Sequence, residues 1–231
     1  MVRLDKILSE VSGLSRSQAT AAIRRGRVRV GDEAVRNPAL KITADTPLFL
    51  DDQSLQTPVP HRYLLLNKPA DYVCVHSGDD RHASALELID LPHRDRLHFA
   101  GRLDADTTGL VLLTDDGEWS HRVTSPRKQC GKIYLATLAD PLPTEAVKAL
   151  EAGVMLRGER QPTLPAKVEL VSPNEARLTI FEGKYHQVKR MFAAVGNRVV
   201  ALRREQVGSL SLEGVGEGAW RFLTPEEVAR F

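Results

Sequence analysis

The chain has 231 residues, of which 42% are hydrophobic and 27% charged, with a formal net charge of +2. That length and apolar content can bury a sizeable core, as one large domain or as a small domain attached to a larger one, in the soluble globular class. No apolar run approaches the ~20 residues that cross a bilayer, and the first residues, with Arg3, Asp5, Lys6 and Glu10, lack the apolar stretch of a signal peptide. Cys74 and Cys130 by themselves make neither a zinc knuckle nor a disulfide framework. The expected setting is the cytoplasm, with both thiols reduced and no membrane partner.

In chain order, Leu4, Ile7, Leu8 and Val11 recur at helical spacing until Ser12-Gly13 breaks the pattern. A second helix starts at Ser15, which caps it and completes a capping box with Gln18, while Leu14 staples onto Ala19. Ala19, Ala22 and Ile23 face inward, Arg16, Arg24 and Arg25 face solvent, and Gly26 ends the helix. Val28 and Val30 then alternate with Arg27 and Arg29, a turn follows at Gly31-Asp32, and residues 48–50 form another short strand. From Arg16 to Arg29 there are five arginines and no acid. A local basic patch on a nearly neutral chain points to a polyanion, because phosphate contacts release counterions. Two short helices, small strands and arginines in this order resemble the S-four-like RNA-binding fold (the αL motif) first recognised in a small-subunit ribosomal protein. The resemblance implies an RNA-binding domain over residues 1–57, with Arg16, Arg24, Arg25 and Arg27 as its contacts. Residues 51–60 are polar and end in Pro58 and Pro60, which suits a linker with the boundary near residue 58.

Beyond residue 61 short apolar runs dominate. Strands are predicted at 63–66, 72–75, 110–113, 133–138, 166–171 and 176–181, and a helix at 144–152. A further helix fits 186–195, where Val188, Met191, Phe192 and Val195 form an apolar stripe before Gly196. Thr224-Pro225-Glu226-Glu227 is a capping box with proline at the first helical position. The fold class is therefore α+β, the larger domain having a mainly antiparallel, mixed sheet. The glycine-rich segment 214–218 precedes a strand and not a helix, so it reads as a hairpin turn and not a phosphate loop. The seven histidines never take the spacing of a zinc helix, and no metal is expected. A second acid-free stretch between Glu182 and Glu205 holds Lys184, Lys189, Arg190, Arg198, Arg203 and Arg204.

The segment Gly101-Arg102-Leu103-Asp104-Ala105-Asp106-Thr107-Thr108-Gly109-Leu110 mounts carboxylates on a turn running into the apolar run 110–113. A carboxylate held rigidly at the lip of a buried strand is a place for chemistry. Asp104, Asp106, Thr108, Gly109, Val111 and Asp115 also fall at the ligand spacing of a calcium loop. Against calcium stand an aspartate at the last position in place of a bidentate glutamate, the apolar run itself, and the lack of a second such loop. A glycosidase would use paired carboxylates as well, but the basic surroundings select a polyanion over a neutral glycan. An aspartate can attack an anomeric carbon, or add to an electron-poor ring, and form a covalent intermediate without a cofactor.

Asn67-Lys68-Pro69, the Gly101 to Leu110 motif, Lys132-Ile133-Tyr134-Leu135, and Glu182-Gly183-Lys184-Tyr185-His186-Gln187-Val188-Lys189-Arg190-Met191-Phe192 occur in this order. Together they resemble the sequence blocks of the pseudouridine synthases, in the bacterial branch that joins an S-four-like domain to the catalytic domain. The resemblance implies a catalytic domain over residues 58–231 that isomerises one uridine of 16S rRNA, uridine 516, without a cofactor. The implied partner is 16S rRNA or a partly assembled small ribosomal subunit, met by a monomer. Asp104 matches the nucleophile, with attack on the sugar, attack on the ring and action as a base all left open, and Tyr134 matches the tyrosine that stacks on the flipped base. Lys184 occupies the position of a basic residue that pairs with the aspartate, with Lys189 and Arg190 in reserve. Lys68 and Arg102 are expected to hold RNA or the active-site turn, and Lys189 and Arg190 to bind RNA. Asp106 and Thr107 are expected to brace the loop by side-chain to backbone hydrogen bonds. The alternative from another class is a non-catalytic RNA-binding or ribosome-assembly factor with the same fold.

Overall fold

The computed structural model describes residues 2–43, 46–55, 61–125 and 130–231. It divides into two compact units, Met1–His61 and Arg62–Phe231. The linker boundary expected near residue 58 lies outside the described residues.

In the first unit, α1 (Leu4–Ser12) buries Leu4, Ile7 and Leu8 and ends at Gly13 with φ 72°. Glycine adopts that left-handed conformation without steric cost. α2 (Arg16–Arg24) begins with both halves of the expected capping box, Ser15 receiving the Gln18 amide and Gln18 the Ser15 amide. Four strands follow, β1 (Val28–Val30), β2 (Glu33–Val35), β3 (Leu48–Leu50) and β4 (Gln53–Leu55). They form an antiparallel sheet in the order β2-β1-β3-β4. The two helices and the sheet share one core, in which Leu4, Leu8, Ile23, Val28 and Leu48 are fully buried. The apolar spacing therefore faces the helices inward and leaves the arginines outside.

The second unit is built on a nine-stranded sheet. Its main strands are β5 (Tyr63–Lys68), β6 (Thr107–Thr114), β7 (Lys132–Leu138), β8 (Lys167–Ser172), β9 (Glu175–Ile180), β10 (Val199–Val207) and β11 (Trp220–Phe222). They lie in the order β8-β9-β7-β10-β6-β5-β11, with His98–Phe99 added to β6 and Leu210–Ser211 to β10. Among these pairings the β6–β10 pair is parallel and the others are antiparallel.

The central strands are covered on both faces. Leu64, Leu66, Val111 and Leu113 pack with Leu150 of α4 (Thr144–Ala152) and with Met191 and Phe192 of α5 (Gln187–Ala194). Leu65, Leu110 and Leu112 pack on the opposite side with Trp119 and Val123 of α3 (Gly117–Thr124). Two-sided burial is why these strands read as unbroken apolar runs, whereas β9, covered on one face, alternates buried and partly exposed residues.

Three expectations change. The strand predicted at 72–75 shrinks to Tyr72–Val73 and pairs with Ala83–Ser84 outside the main sheet. β6 starts at Thr107, ahead of its apolar run, because Thr107, Thr108 and Gly109 pair with Leu202, Arg203 and Arg204 of β10. Segment 214–218 is a crossing connection and not a hairpin turn, since the strands on either side of it pair with β10 and β5 and not with each other. It is seated on Asn67, whose side-chain amide donates to the Val215 carbonyl at 2.8 Å and whose carbonyl accepts from the Gly218 amide at 2.8 Å.

Candidate active site

The turn carrying Asp104 is fixed from below. The Thr107 amide donates to the Asp104 carbonyl at 3.1 Å and closes the turn. Gly109 has φ 105°, and a Cβ there would lie 2.2 Å from the Arg204 carbonyl oxygen, so the parallel pairing admits glycine alone. Lys68, fully buried at the end of β5, donates from Nζ to the carbonyls of Pro69 (2.8 Å), Tyr72 (2.8 Å) and Ala105 (3.2 Å). Burial pushes its ammonium below the ordinary lysine value, and the three carbonyls keep it solvated in place of water. Of the two roles expected of Lys68, RNA or the active-site turn, the fully buried side chain meets no RNA and ties β5 to the turn that carries Asp104.

Both oxygens of the Asp104 carboxylate are engaged. Oδ1 lies 3.2 Å from His186 Nε2 and Oδ2 lies 3.3 Å from Lys189 Nζ, with 31% of the side chain exposed. Lys189 also holds Asp106 at 2.6 Å. Burial lowers the Lys189 ammonium, but the hydrogen bond to Asp106 and the charges of both aspartates outweigh it and leave the group above its ordinary value. The same hydrogen bond holds the Asp106 carboxyl below its usual range.

The cation expected to pair with Asp104 is therefore corrected. Lys184 turns away, to Glu159 at 3.1 Å and to its sequence neighbour Glu182 at 4.0 Å, because the fold brings Glu159 to the acid-free stretch that begins after Glu182. Arg190 shares Glu159 at 3.2 Å and donates to the carbonyls of Tyr185 (2.9 Å) and Arg157 (2.6 Å), so it braces a loop and does not reach out for RNA. The bracing expected of Thr107 is corrected too: its Oγ1 is buried without a hydrogen-bond partner among the described residues while its backbone closes the turn, whereas the Asp106 carboxylate bonds its own backbone and also serves Lys189. Arg102 is exposed at the rim of the cleft.

Tyr134 on β7 lies opposite Arg204 on β10. Arg204 is 2% exposed and donates to Tyr134 Oη at 3.2 Å, to the Leu110 carbonyl at 2.7 Å and to the Arg102 carbonyl at 3.4 Å. Its guanidinium carbon lies 5.8 Å from the Tyr134 ring centroid. One buried arginine thus joins the tyrosine strand to both ends of the aspartate motif. Cys74 Sγ accepts from the Leu103 amide at 3.4 Å, and burial raises its thiol above the ordinary value. Sequence reading missed His186 and Arg204 as site residues. His186 stood inside the quoted motif as a visible signal, but the pairing of Arg204 with Tyr134 has no local signature.

These groups line a cleft of about 630 Å³, whose walls also include Val188, Leu202 and Ile180. That is the size class of small-ligand sites, with a few polar groups set among apolar walls. A carboxylate held between two nitrogen groups beside an aromatic ring can act as nucleophile or base on a planar heterocycle bound there. The calcium spacing fails here, since its residues from Thr108 onward run along an extended strand and cannot encircle an ion. Among the described residues no cluster of three or more His, Cys, Asp or Glu side chains is arranged to hold a metal.

In the first unit Arg16, Arg24, Arg25 and Arg27 are all exposed. Arg27 is bound by Asp51 and Arg16 lies 3.7 Å from Asp5, whereas Arg24 and Arg25 make no ion pair among the described residues. No described helix is long and apolar enough to cross a membrane.

Residues 62–194 match the family described as RNA pseudouridylate synthase, and residues 2–46 match the S4 domain. Over 230 residues the chain is 47% identical to the ribosomal small subunit pseudouridine synthase A of Haemophilus influenzae, covering 99% of each. Over 229 residues it is 48% identical to the protein of the same name from Escherichia coli K12, again covering 99% of each. A solved pseudouridylate synthase structure superposes with a TM-score of 0.71 at 46% identity, covering 100% of this chain and 99% of that one.

Proposed function

The chain belongs to the RNA pseudouridylate synthase family, and from that premise we propose that it converts uridine 516 of 16S rRNA to pseudouridine with Asp104 as the nucleophile. At the coarser level it is an isomerase, a pseudouridine synthase of small-subunit rRNA. The observation that carries the finer reading is the Asp104 carboxylate on its fixed turn, one oxygen on His186 and the other on Lys189. A nucleophile needs its lone pairs aimed, and an ammonium at 3.3 Å from one oxygen holds the carboxylate in a fixed orientation.

The reaction breaks the bond between uracil N1 and the sugar C1′, rotates the base and forms a bond from C5 to C1′. N1 gains a proton and C5 loses one, so atoms and electrons balance with no oxidant or reductant. Asp104 attacks C1′, which leaves an ester on the sugar and the uracil held in the cleft without a covalent bond until C5 displaces the carboxylate, or it adds to the electron-poor ring, which leaves an ester on the base that is eliminated after C5 has joined C1′. Reaching the target requires the base to leave its stack, and the Tyr134 ring, pinned by Arg204, offers the face that receives it. Residues 1–57 add phosphate contacts through Arg24 and Arg25, while residues 58–231 carry out the chemistry, on free rRNA or on a partly assembled subunit.

The test is tritium release from C5-labelled uridine in under-modified small-subunit rRNA. Native protein releases label, and Asp104→Asn lowers the single-turnover rate by at least about 10³-fold. Binding by native protein without release would favour the non-catalytic RNA-binding factor, and persistent release by the Asn variant would remove Asp104 as nucleophile.

A further inference from the structure

Among the described residues Tyr185 is the most exposed large hydrophobic side chain, at 72%. It belongs to the lining of the cleft that holds Asp104, so this aromatic surface stands where RNA must enter. Its ring is stacked on the His186 imidazole, with centroids 3.7 Å apart and planes 24° apart. The local backbone is built to present it. His186 adopts the left-handed conformation, φ 46° and ψ 37°, immediately before α5, and histidine is among the few non-glycine residues that tolerate it. Arg190 donates to the Tyr185 carbonyl at 2.9 Å while anchored on Glu159, and its own amide donates to the His186 carbonyl at 3.0 Å.

We propose that the Tyr185–His186 pair is a stacking platform for an unpaired nucleobase next to the target uridine. This rests on the reading of the chain as an rRNA uridine isomerase. Flipping a base opens its neighbours, whose faces then lose their stacking partner. An exposed tyrosine already stacked on one side offers a second ring without ordering a new side chain. Because His186 also contacts Asp104, the platform places the flanking base one ring away from the side chain that meets the nucleophile. Stacking accepts any base, so the platform supplies affinity and placement more than sequence choice.

The experiment measures affinity of the full chain for a small-subunit rRNA fragment spanning the target, and for the same fragment made abasic at each flanking position. Tyr185→Ala is expected to weaken binding of the intact fragment roughly 5- to 100-fold with no change in salt dependence, while Tyr185→Phe stays within about twofold of native. Removal of one flanking base should weaken native protein similarly and cost the Ala variant little more, which is the signature of a coupled pair. Native-like binding by Tyr185→Ala, equal weakening by Phe and Ala, or additive losses with both abasic fragments would each overturn the platform. These outcomes are separable from failure of the isomerase reading, which shows as absent tritium release from native protein.

Discussion

The Asp104 carboxylate takes its two contacts, His186 and Lys189, from the start of one helix, where residues three apart share a face. Lys189 is the more telling of the two, because it sits between two carboxylates and keeps its charge despite partial burial. Replacing it by methionine leaves Asp104 and Asp106 facing each other unscreened. Lys189→Met should lower the single-turnover rate about 10²-fold, and Lys189→Arg should recover most of it. Tritium release under single-turnover conditions checks both. Gly109 makes a second residue-scale case, of stability. A Cβ 2.2 Å from the Arg204 carbonyl must part β6 from β10. Gly109→Ala is expected to cost about 3 kcal/mol or more in urea unfolding; a loss under about 1 kcal/mol would mean that the parallel pair relaxes freely. The glycine was legible in the sequence as part of a motif, but its reason was not, since the atom it avoids lies on a strand far along the chain.

At the scale of elements, the loop before α5 shows how a basic sequence segment becomes a folded one. Gln187 accepts the Lys184 amide at 2.8 Å and donates to Glu182 at 2.9 Å, while Glu159 gathers Lys184 and Arg190. Lys184, Lys189 and Arg190, expected from sequence to pair with Asp104 or to bind RNA, are each held by carboxylates of the chain itself. The small helix α6 (Pro225–Val228) was better signalled, because its capping box is a local device. Arg221 grips Glu227 through two hydrogen bonds, 2.7 and 2.8 Å, and holds its carboxyl at about 2 against an ordinary 4.5. A folded-state value below the unfolded one stabilises fully above the unfolded value and is lost as pH falls toward the folded one. With the arginine partly solvated, the contribution is on the order of 1–2 kcal/mol. Glu227→Gln should show that loss at neutral pH, and should flatten the fall in stability between about pH 5 and pH 2. Thermal unfolding across that range is the measurement.

For the whole molecule, a net charge of +2 says little until the charges are placed. In the first unit Arg24 and Arg25 stand exposed at the end of α2, whereas Arg27 is held by Asp51. Arg24→Ala and Arg25→Ala should each weaken rRNA binding and reduce the slope of log affinity against log salt by about 1, with Arg27→Ala changing it less. Filter binding over a range of salt tests this, and an unchanged slope would count against phosphate contacts by this unit. In the second unit Arg102 stands exposed at the rim of the cleft.

What the sequence by itself determined is whatever depends on near neighbours. The Ser15–Gln18 and Thr224–Glu227 boxes, the stripe of α5, the apolar central strands and the turn bearing Asp104 are all set within a few residues, where periodicity and capping act. The α+β class and the family blocks follow from their order. Only the tertiary structure decided which cation Asp104 receives, because Lys184 and Lys189 look alike along the chain and differ in which distant acids reach them. Glu159 draws off the first, and the Asp106 turn, 83 residues before Lys189, secures the second. The parallel register of β6 on β10 likewise sets Gly109 against the Arg204 carbonyl, and the antiparallel register of β7 on β10 sets Arg204 opposite Tyr134, matches of backbone positions that no local pattern encodes.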